Sequence, residues 1–453
     1  MAKRIDLGNG SIGKLFSAYF FPTLLSMMFS AAFNLADGIF VGRGIGSDAL
    51  AAVNVAAPMF MIATGVGLML GGGASVVGAI NLSRGNKLGA GVCSSQALLS
   101  TLVFGAIVGI VVVAAPGQLC YLFGGSDVLR PYVSDYLRGL SVGLISDSVM
   151  ICGMFIIRLD GSPRYAMMSN VVPALLNVGL DYWFIFPLGW GIAGAAWATS
   201  ISTAVGALMV GAYFLFFAKD VRLRRLRLGE RNVRLGLHSI MKMSKIGVPA
   251  LIGDLAISFM LVIGNYMFIG MLGEDGVAAF SVACYLTPML FMFANAIAQS
   301  SMPIVSFNHG CGQDGRVRRT LRLSLMVAAA SGLFVTLCMS ALSHTLSAGF
   351  LDSTTNAFRL ADRGLPLFAG GAVFLILNIV LIGYLQSVEQ SKCATLFMVL
   401  RGFVFVALFS QILPPLLGEA GLWLTVPASE LMAFLTIAVT LTRQRRKNRS
   451  AKA

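Results

Sequence analysis

The sequence predicts an all-α polytopic membrane protein, with twelve transmembrane helices in two pseudo-symmetric six-helix bundles. Three observations carry that reading. The chain of 453 residues is 57% hydrophobic and 11% charged, with a mean hydropathy of +0.83, a composition outside the range of soluble domains. Apolar runs of about 20 residues or more, the length that crosses a bilayer core, recur throughout. The second half of the chain repeats the first. A β-barrel is excluded because its strands alternate apolar and polar residues, whereas these runs are continuous.

Taken in order, the spans of the first half fall at 14–41, 51–80, 92–115, 132–157, 165–187 and 192–217. Those of the second half fall at 243–271, 277–304, 320–346, 360–386, 392–414 and 418–441. The first run follows Lys3, Arg4 and Lys14 as a signal peptide would, but it continues to Asp37 and reads as a retained span. Connections as short as 43–50 and 188–191 force neighbouring helices to be antiparallel. The domains are then a 1–217 bundle, a basic 218–242 linker, a 243–441 bundle and a basic 442–453 tail.

Basic residues set the orientation. Assigning alternate loops to one side gathers 27 of the 33 Lys and Arg there, including the linker, Arg316–Arg322 and the tail. The positive-inside rule makes that side, with both termini, cytoplasmic, as expected for a bacterial plasma (inner) membrane protein. The net charge of +14 therefore calls for no nucleic acid; its expected contact is the anionic surface of membrane lipids.

An offset of 227 residues superposes Pro22 on Pro249, Asp48 on Asp275, Ala51-Ala52 on Ala278-Ala279, Asn81 on Asn308 and Gly85 on Gly312. An offset of 225 aligns Arg138-Gly139-Leu140 with Arg363-Gly364-Leu365. An even number of helices per copy makes the repeat parallel, about an axis along the membrane normal, with the expected cavity between the copies. The copies differ at their acids. Asp37 falls opposite Gly264, and Asn177 and Asp181 fall opposite apolar positions near Phe403 and Ala407.

Acids inside apolar spans are costly and mark ion or substrate handling. Asn177 and Asp181 stand at i and i+4 on one helical face. Thr199 lies on the next span, brought alongside by the turn at 187–191, and Asp37 completes a set of carboxylate, amide and hydroxyl oxygens. Hard oxygens suit Na⁺, and adjacent carboxyls suit H⁺. The alternative is that Asn177 and Asp181 simply bond neighbouring helices. Pro22 in the first span is a candidate hinge or a fixed kink.

Three further acids, Asp147, Asp254 and Glu430, lie in spans. Glu430 is expected to pair with Arg401, while Asp147 and Asp254 have no basic partner nearby in sequence and are candidates for a cavity that attracts cations. Met28, Phe33 and Met292 belong to a set of Met and Phe residues that would supply an adaptable apolar surface or ordinary packing. Gly71-Gly72-Gly73 lacks the Lys and Ser/Thr of a nucleotide loop, so close helix packing is expected. With no nucleotide motif, energy must come from an ion gradient. The seven cysteines and three histidines form no ligand-spaced cluster.

Several motifs resemble one family. Asp37-Gly-Ile-Phe-Val-Gly42 and Ala49-Leu-Ala-Ala52 fit its first two helices. Arg158-x-Asp160-Gly161-Ser-Pro163, Leu176-Asn-x-x-Leu-Asp181 and Gly191-Ile-Ala-Gly-Ala-Ala-Trp-Ala-Thr199 fit its fourth to sixth. Gln299-x-x-x-Pro303, Asn308-x-Gly310, Gln386 and Arg401 fit the second half. Over about residues 10–440 the chain resembles multidrug and toxic compound extrusion (MATE) transporters, in particular their bacterial MepA-like branch. The resemblance implies two bundles in a V, no enzymatic activity, and a monomer with no cofactor. It implies export of small lipophilic cations in antiport with H⁺ or Na⁺, held at Asp37, Asn177, Asp181 and Thr199. The fourth helix offers Ser146, Asp147 and Ser148 in place of the Asn of some members. Asp254 stands at a different distance from Pro249 than the seventh-helix Glu of others. The runner-up is a flippase for lipid-linked saccharides of the same architecture, which would need several intramembrane bases to hold phosphate; only Arg401 is one here.

Overall fold

A chain in hydrocarbon must satisfy its own backbone hydrogen bonds, and this one does so with helices. The computed structural model describes residues 6–123, 125–226 and 230–450. Lys3, Arg4, Arg227 and Lys452, counted above among the basic residues, lie outside them. The helices are α1 (Ile12–Gly44), α2 (Ser47–Ser83), α3 (Lys87–Ala114), α4 (Pro116–Leu122), α5 (Arg130–Leu159), α6 (Pro163–Ile185) and α7 (Gly191–Ala212), which continues as a π-turn (Tyr213–Phe217). Then follow α8 (Glu230–Gly310), α9 (Asp314–Ala341), α10 (Ser343–Phe350), α11 (Asn356–Ala369), α12 (Ala372–Ser387), α13 (Ser391–Val399), a π-turn (Leu400–Val404), α14 (Phe405–Leu417) and α15 (Glu419–Ser450).

Among the described residues, nine helices are long and apolar enough to cross a membrane, or ten when α11 and α12, bent by 42° at their junction, count as one span. The remaining two of the twelve have physical reasons. α8 is two helices joined at Gly273, whose φ of 65° and ψ of −155° break the helix. α6 has sufficient length, 23 residues, but Asn170, Asn177 and Asp181 dilute its apolar character. α1 runs unbroken through Pro22.

The chain forms two compact units. One comprises Met1–Leu251, Met302–Val317 and Ser387–Glu389; the other comprises Ile252–Ser301, Arg318–Gln386 and Gln390–Ala453. The repeat is visible bond by bond. Asn81 Nδ2 donates to the Val77 carbonyl at 3.0 Å, and Asn308 Nδ2 to the Ile304 carbonyl at 2.8 Å. The turns that follow place Gly85 at φ 75° and Gly312 at φ 70°, the left-handed region that glycine tolerates. The short helices α4 and α10 occupy corresponding places after the third span of each copy.

Within the first unit, the three consecutive glycines are packing surfaces. A Cβ on Gly73 would lie 2.0 Å from the Met243 carbonyl oxygen, and one on Gly71 would lie 2.8 Å from the Cys152 Cα. On the opposing helix, a Cβ on Gly247 would lie 1.8 Å from the Met69 carbonyl oxygen. α2 and the start of α8 therefore cross backbone to backbone, the small-residue packing typical of membrane helices. Asp160, in the Arg-x-Asp-Gly-Ser-Pro motif, pins the linker. Its Oδ1 accepts the amides of Asp220 and Val221 at 2.7 and 2.8 Å; its Oδ2 accepts the Lys219 amide at 2.8 Å and the Tyr213 hydroxyl at 2.7 Å.

In the second unit the π-turn widens the helix at Arg401, which is 4% exposed. Arg401 Nε donates to Glu430 Oε2 at 2.7 Å, and a second guanidinium nitrogen lies 2.7 Å from Oε1. Asn378 Nδ2 donates to the same Oε2 and to the Glu430 carbonyl, both at 2.8 Å. The expected Glu430–Arg401 pair is thus present, two-pronged and buried. Removing one partner of such a pair strands a charge, at a cost of about 3–5 kcal/mol. Glu430→Ala is expected to lower the thermal midpoint of the detergent-purified protein by several degrees, and Glu430→Leu combined with Arg401→Met to recover most of the loss. A Glu430→Ala protein as stable as the parent would contradict the closed pair.

Candidate functional site: a buried pair of carboxyls

Four features bring one set of polar groups together inside the first unit. The 3.6-residue period of α6 places Asn177 and Asp181 one turn apart on the same face. The turn at 186–190 returns the chain as α7, and buried Ala195, Ala196 and Ala198 let that helix approach closely. Gly139 and Gly143 on α5 admit α7 as well: Ser200 Oγ donates to the Gly139 carbonyl at 2.7 Å and accepts the Gly143 amide at 3.0 Å. α1 packs along α6, where Asn170 Nδ2 donates to both Ser26 Oγ and Ser30 Oγ at 2.9 Å.

The result is a cluster of polar side chains that brings together the four residues singled out in the sequence, Asp37, Asn177, Asp181 and Thr199. Asp181 is 0% exposed, Asn177 1% and Thr199 4%, and Asp37 is half-buried. Asn177 Nδ2 donates to Thr199 Oγ1 at 3.3 Å. The carboxyls of Asp37 and Asp181 lie side by side within hydrogen-bonding reach. An ionised carboxylate has no hydrogen to give, so the pair cannot satisfy itself. No donor among the described residues reaches Asp37 Oδ1, either oxygen of Asp181, or Asn177 Oδ1. Buried acceptors left this way are rare and costly. A proton or a small monovalent cation among these oxygens would satisfy them and remove the repulsion between the two acids. The donor set of carboxylate, amide and hydroxyl oxygens fits such an ion.

Two contributors carry little signal in the sequence. Tyr136 of α5, 7% exposed, lies close enough to feel the charge of both Asp37 and Asp181. A tyrosine buried in a span needs a polar neighbour for its hydroxyl, which is the only sequence signal that marks it. Asn170, two turns from Asn177 on α6, clamps that helix to α1 through residues about 140 positions away in the chain.

The other candidates have different surroundings. Asp147, 4% exposed, accepts the Thr64 hydroxyl at 2.8 Å between α5 and α2. Met28 is exposed on α1, and Phe33 is half-buried on the same helix. Asp254 and Met292 are half-buried and belong to the second unit.

Comparison with known proteins agrees with the repeat and the fold. The family model described as MatE matches the chain twice, over residues 22–183 and 249–412, once in each copy. A protein described as an FAD transporter of Shewanella oneidensis is 28% identical over 332 residues, which cover 72% of this chain and 71% of that one. The multidrug export protein MepA of Staphylococcus aureus (strain NCTC 8325) is 23% identical over 431 residues, covering 92% of this chain and 91% of the other. A solved outward-facing structure of a multidrug resistance MATE family transporter of the MOP superfamily shares the fold, with a TM-score of 0.89 at 22% identity over 98% of this chain and 99% of that one. With each half matched in register and the all-helical fold shared, the chain belongs to the MATE family of membrane transporters.

Proposed function

We propose that this transporter is a secondary active multidrug efflux protein of the bacterial plasma membrane, which exports lipophilic cations in antiport with H⁺ or Na⁺. The observation that carries this reading is the Asp37–Asp181 pair beside Asn177, in which three carboxyl oxygens and the Asn177 amide oxygen meet no donor among the described residues. In the ion-free state, two adjacent carboxylates repel and draw in a cation from the side where it is abundant. Once the ion is bound, the pair carries one negative charge less, and α1 and α6 pack together without repulsion. Because α1 carries both Asp37 and Pro22, this change of charge biases the helix between two arrangements, with Pro22 as the position where the missing backbone bond allows it to bend. An ion shifts such an equilibrium only by its difference in affinity for the two states, and the carboxyl pair supplies that difference.

The charge balance of the spans favours cations as substrates. The intramembrane base, Arg401, is neutralised by Glu430, which leaves Asp37, Asp147, Asp181 and Asp254 without a basic partner among the described side chains. The similarity to the FAD transporter supports a second reading, export of an anionic dinucleotide. Against it, a diphosphate would meet acids in the spans and a guanidinium already spent on a carboxylate.

Three outcomes test the proposal. In proteoliposomes with separately imposed pH and Na⁺ gradients, Asp37→Asn or Asp181→Asn is expected to reduce gradient-driven efflux to background while drug binding changes less than about tenfold. Near-normal efflux in the double variant would place coupling elsewhere, with Asp254 the next candidate. The unmodified protein should export a lipophilic monocation much faster than FAD or an anionic dye of similar size; preference for the anion would favour the dinucleotide reading. Single cysteines at Leu235 and Arg443 in intact cells should be labelled only after permeabilisation. Labelling of either one from outside would reverse the orientation.

A further inference from the structure

The first unit carries an apolar groove that none of Asp37, Asn177, Asp181 and Thr199 lines. It has a volume of about 560 Å³ and runs between α3 and α7. Leu98 and Leu102 form one wall, Val210 and Ala207 the other, and Val149 of α5 the floor. Leu99 and Leu102 on α3 and Leu208 on α7 are exposed beside it, on a surface that only hydrocarbon suits. At position 211, which also lines the groove, a Cβ would meet nothing within 4 Å. That glycine is a notch in the wall and not a close helix contact.

The mouth is built differently from the walls. The linker closes one end of the groove with Leu223, Arg224 and Leu226. The linker is fixed there: Asp160 holds the amides of residues 219–221, and the Arg224 amide donates to Ser95 Oγ at 2.8 Å. Arg222, Arg224 and Arg225 therefore stand exposed in one short pinned segment where the apolar walls end.

We infer that this groove binds an anionic phospholipid, with one acyl chain between α3 and α7 and the phosphate at Arg222, Arg224 and Arg225. An open apolar cleft on a bilayer-facing surface is filled by whatever hydrocarbon surrounds it, and a basic cluster at its polar end selects a negatively charged headgroup. Charge complementarity fixes the occupant. A lipophilic cation would fit the walls but would be repelled by Arg224, which lines the groove, and by the exposed Arg222 and Arg225 in the same segment. A zwitterionic lipid gains little from them. The bound lipid would tie the linker between the two sequence repeats to the first bundle.

The test uses the full chain purified in mild detergent, with lipid retention read by native mass spectrometry. Dioleoyl phosphatidylglycerol should be retained in preference to dioleoyl phosphatidylcholine of identical chains. Arg224→Gln should weaken retention of phosphatidylglycerol about fivefold, the effect of one basic residue near an anionic headgroup, and leave phosphatidylcholine unchanged. Gly211→Phe places a ring at a position that lines the groove and where a Cβ meets nothing within 4 Å, and should abolish the preferential retention while the thermal midpoint in lipid-free detergent stays at the parent value; Ala207→Leu serves in its place if that variant fails to fold. Equal retention of the two lipids by the parent, or undiminished phosphatidylglycerol retention in the groove-filled variant, overturns the assignment.

Discussion

Hydrocarbon offers no partner to a polar group, so every acid in a span must find its partner within the protein or remain unsatisfied. That constraint sorts the intramembrane acids of this chain. Glu430 meets Arg401 through two contacts of 2.7 Å and also accepts from Asn378. Asp147 accepts the Thr64 hydroxyl. Asp160, at the end of α5, accepts three amides and a hydroxyl. Asp37 and Asp181 instead face each other, with no donor among the described residues on three of their four oxygens. A closed network is a rigid part, and an open one keeps acceptors that a proton or cation would satisfy.

The same contrast gives the repeat its meaning. Both copies keep the Asn-containing turn, with its i−4 bond and left-handed glycine, because each must end its second span in the same way. They part at the acids. In the second unit Glu430 meets an internal base, Arg401, whereas in the first Asp37 and Asp181 meet each other. The proposed antiport accordingly assigns ion coupling to the first unit.

Much of this arrangement is legible in the sequence. The i, i+4 spacing of Asn177 and Asp181, followed by a short turn to Thr199, fixes their neighbourhood by helix geometry alone. Asp37 stands out because an acid in an apolar run is costly to bury and is kept for a task. The Glu430–Arg401 pair is expected because the two residues lie on consecutive spans. Contacts set by the rotation of helices distant in sequence are not legible. Thr64 meets Asp147 across 83 positions, and Ser26 meets Asn170 across 144. Tyr136 gives no signal beyond being a tyrosine in a span. The Arg-x-Asp-Gly-Ser-Pro motif is visible as a resemblance, but its physical task, holding the linker amides on Asp160, emerges only in three dimensions. α6 illustrates the opposite difficulty. It has the length of a span, but Asn170, Asn177 and Asp181 leave it less apolar than its neighbours.

The central claim is that the carboxyl pair exchanges an ion against substrate. Its most direct measurement is ion release from the purified, detergent-solubilised protein when a lipophilic cation is added, followed with pH and Na⁺ electrodes in weak buffer. The account predicts release of H⁺ or Na⁺ in fixed proportion to the drug bound, and no release from Asp181→Asn protein that still binds the drug. Drug binding by the unmodified protein with no ion released, or undiminished release from the Asp181→Asn variant, would contradict it.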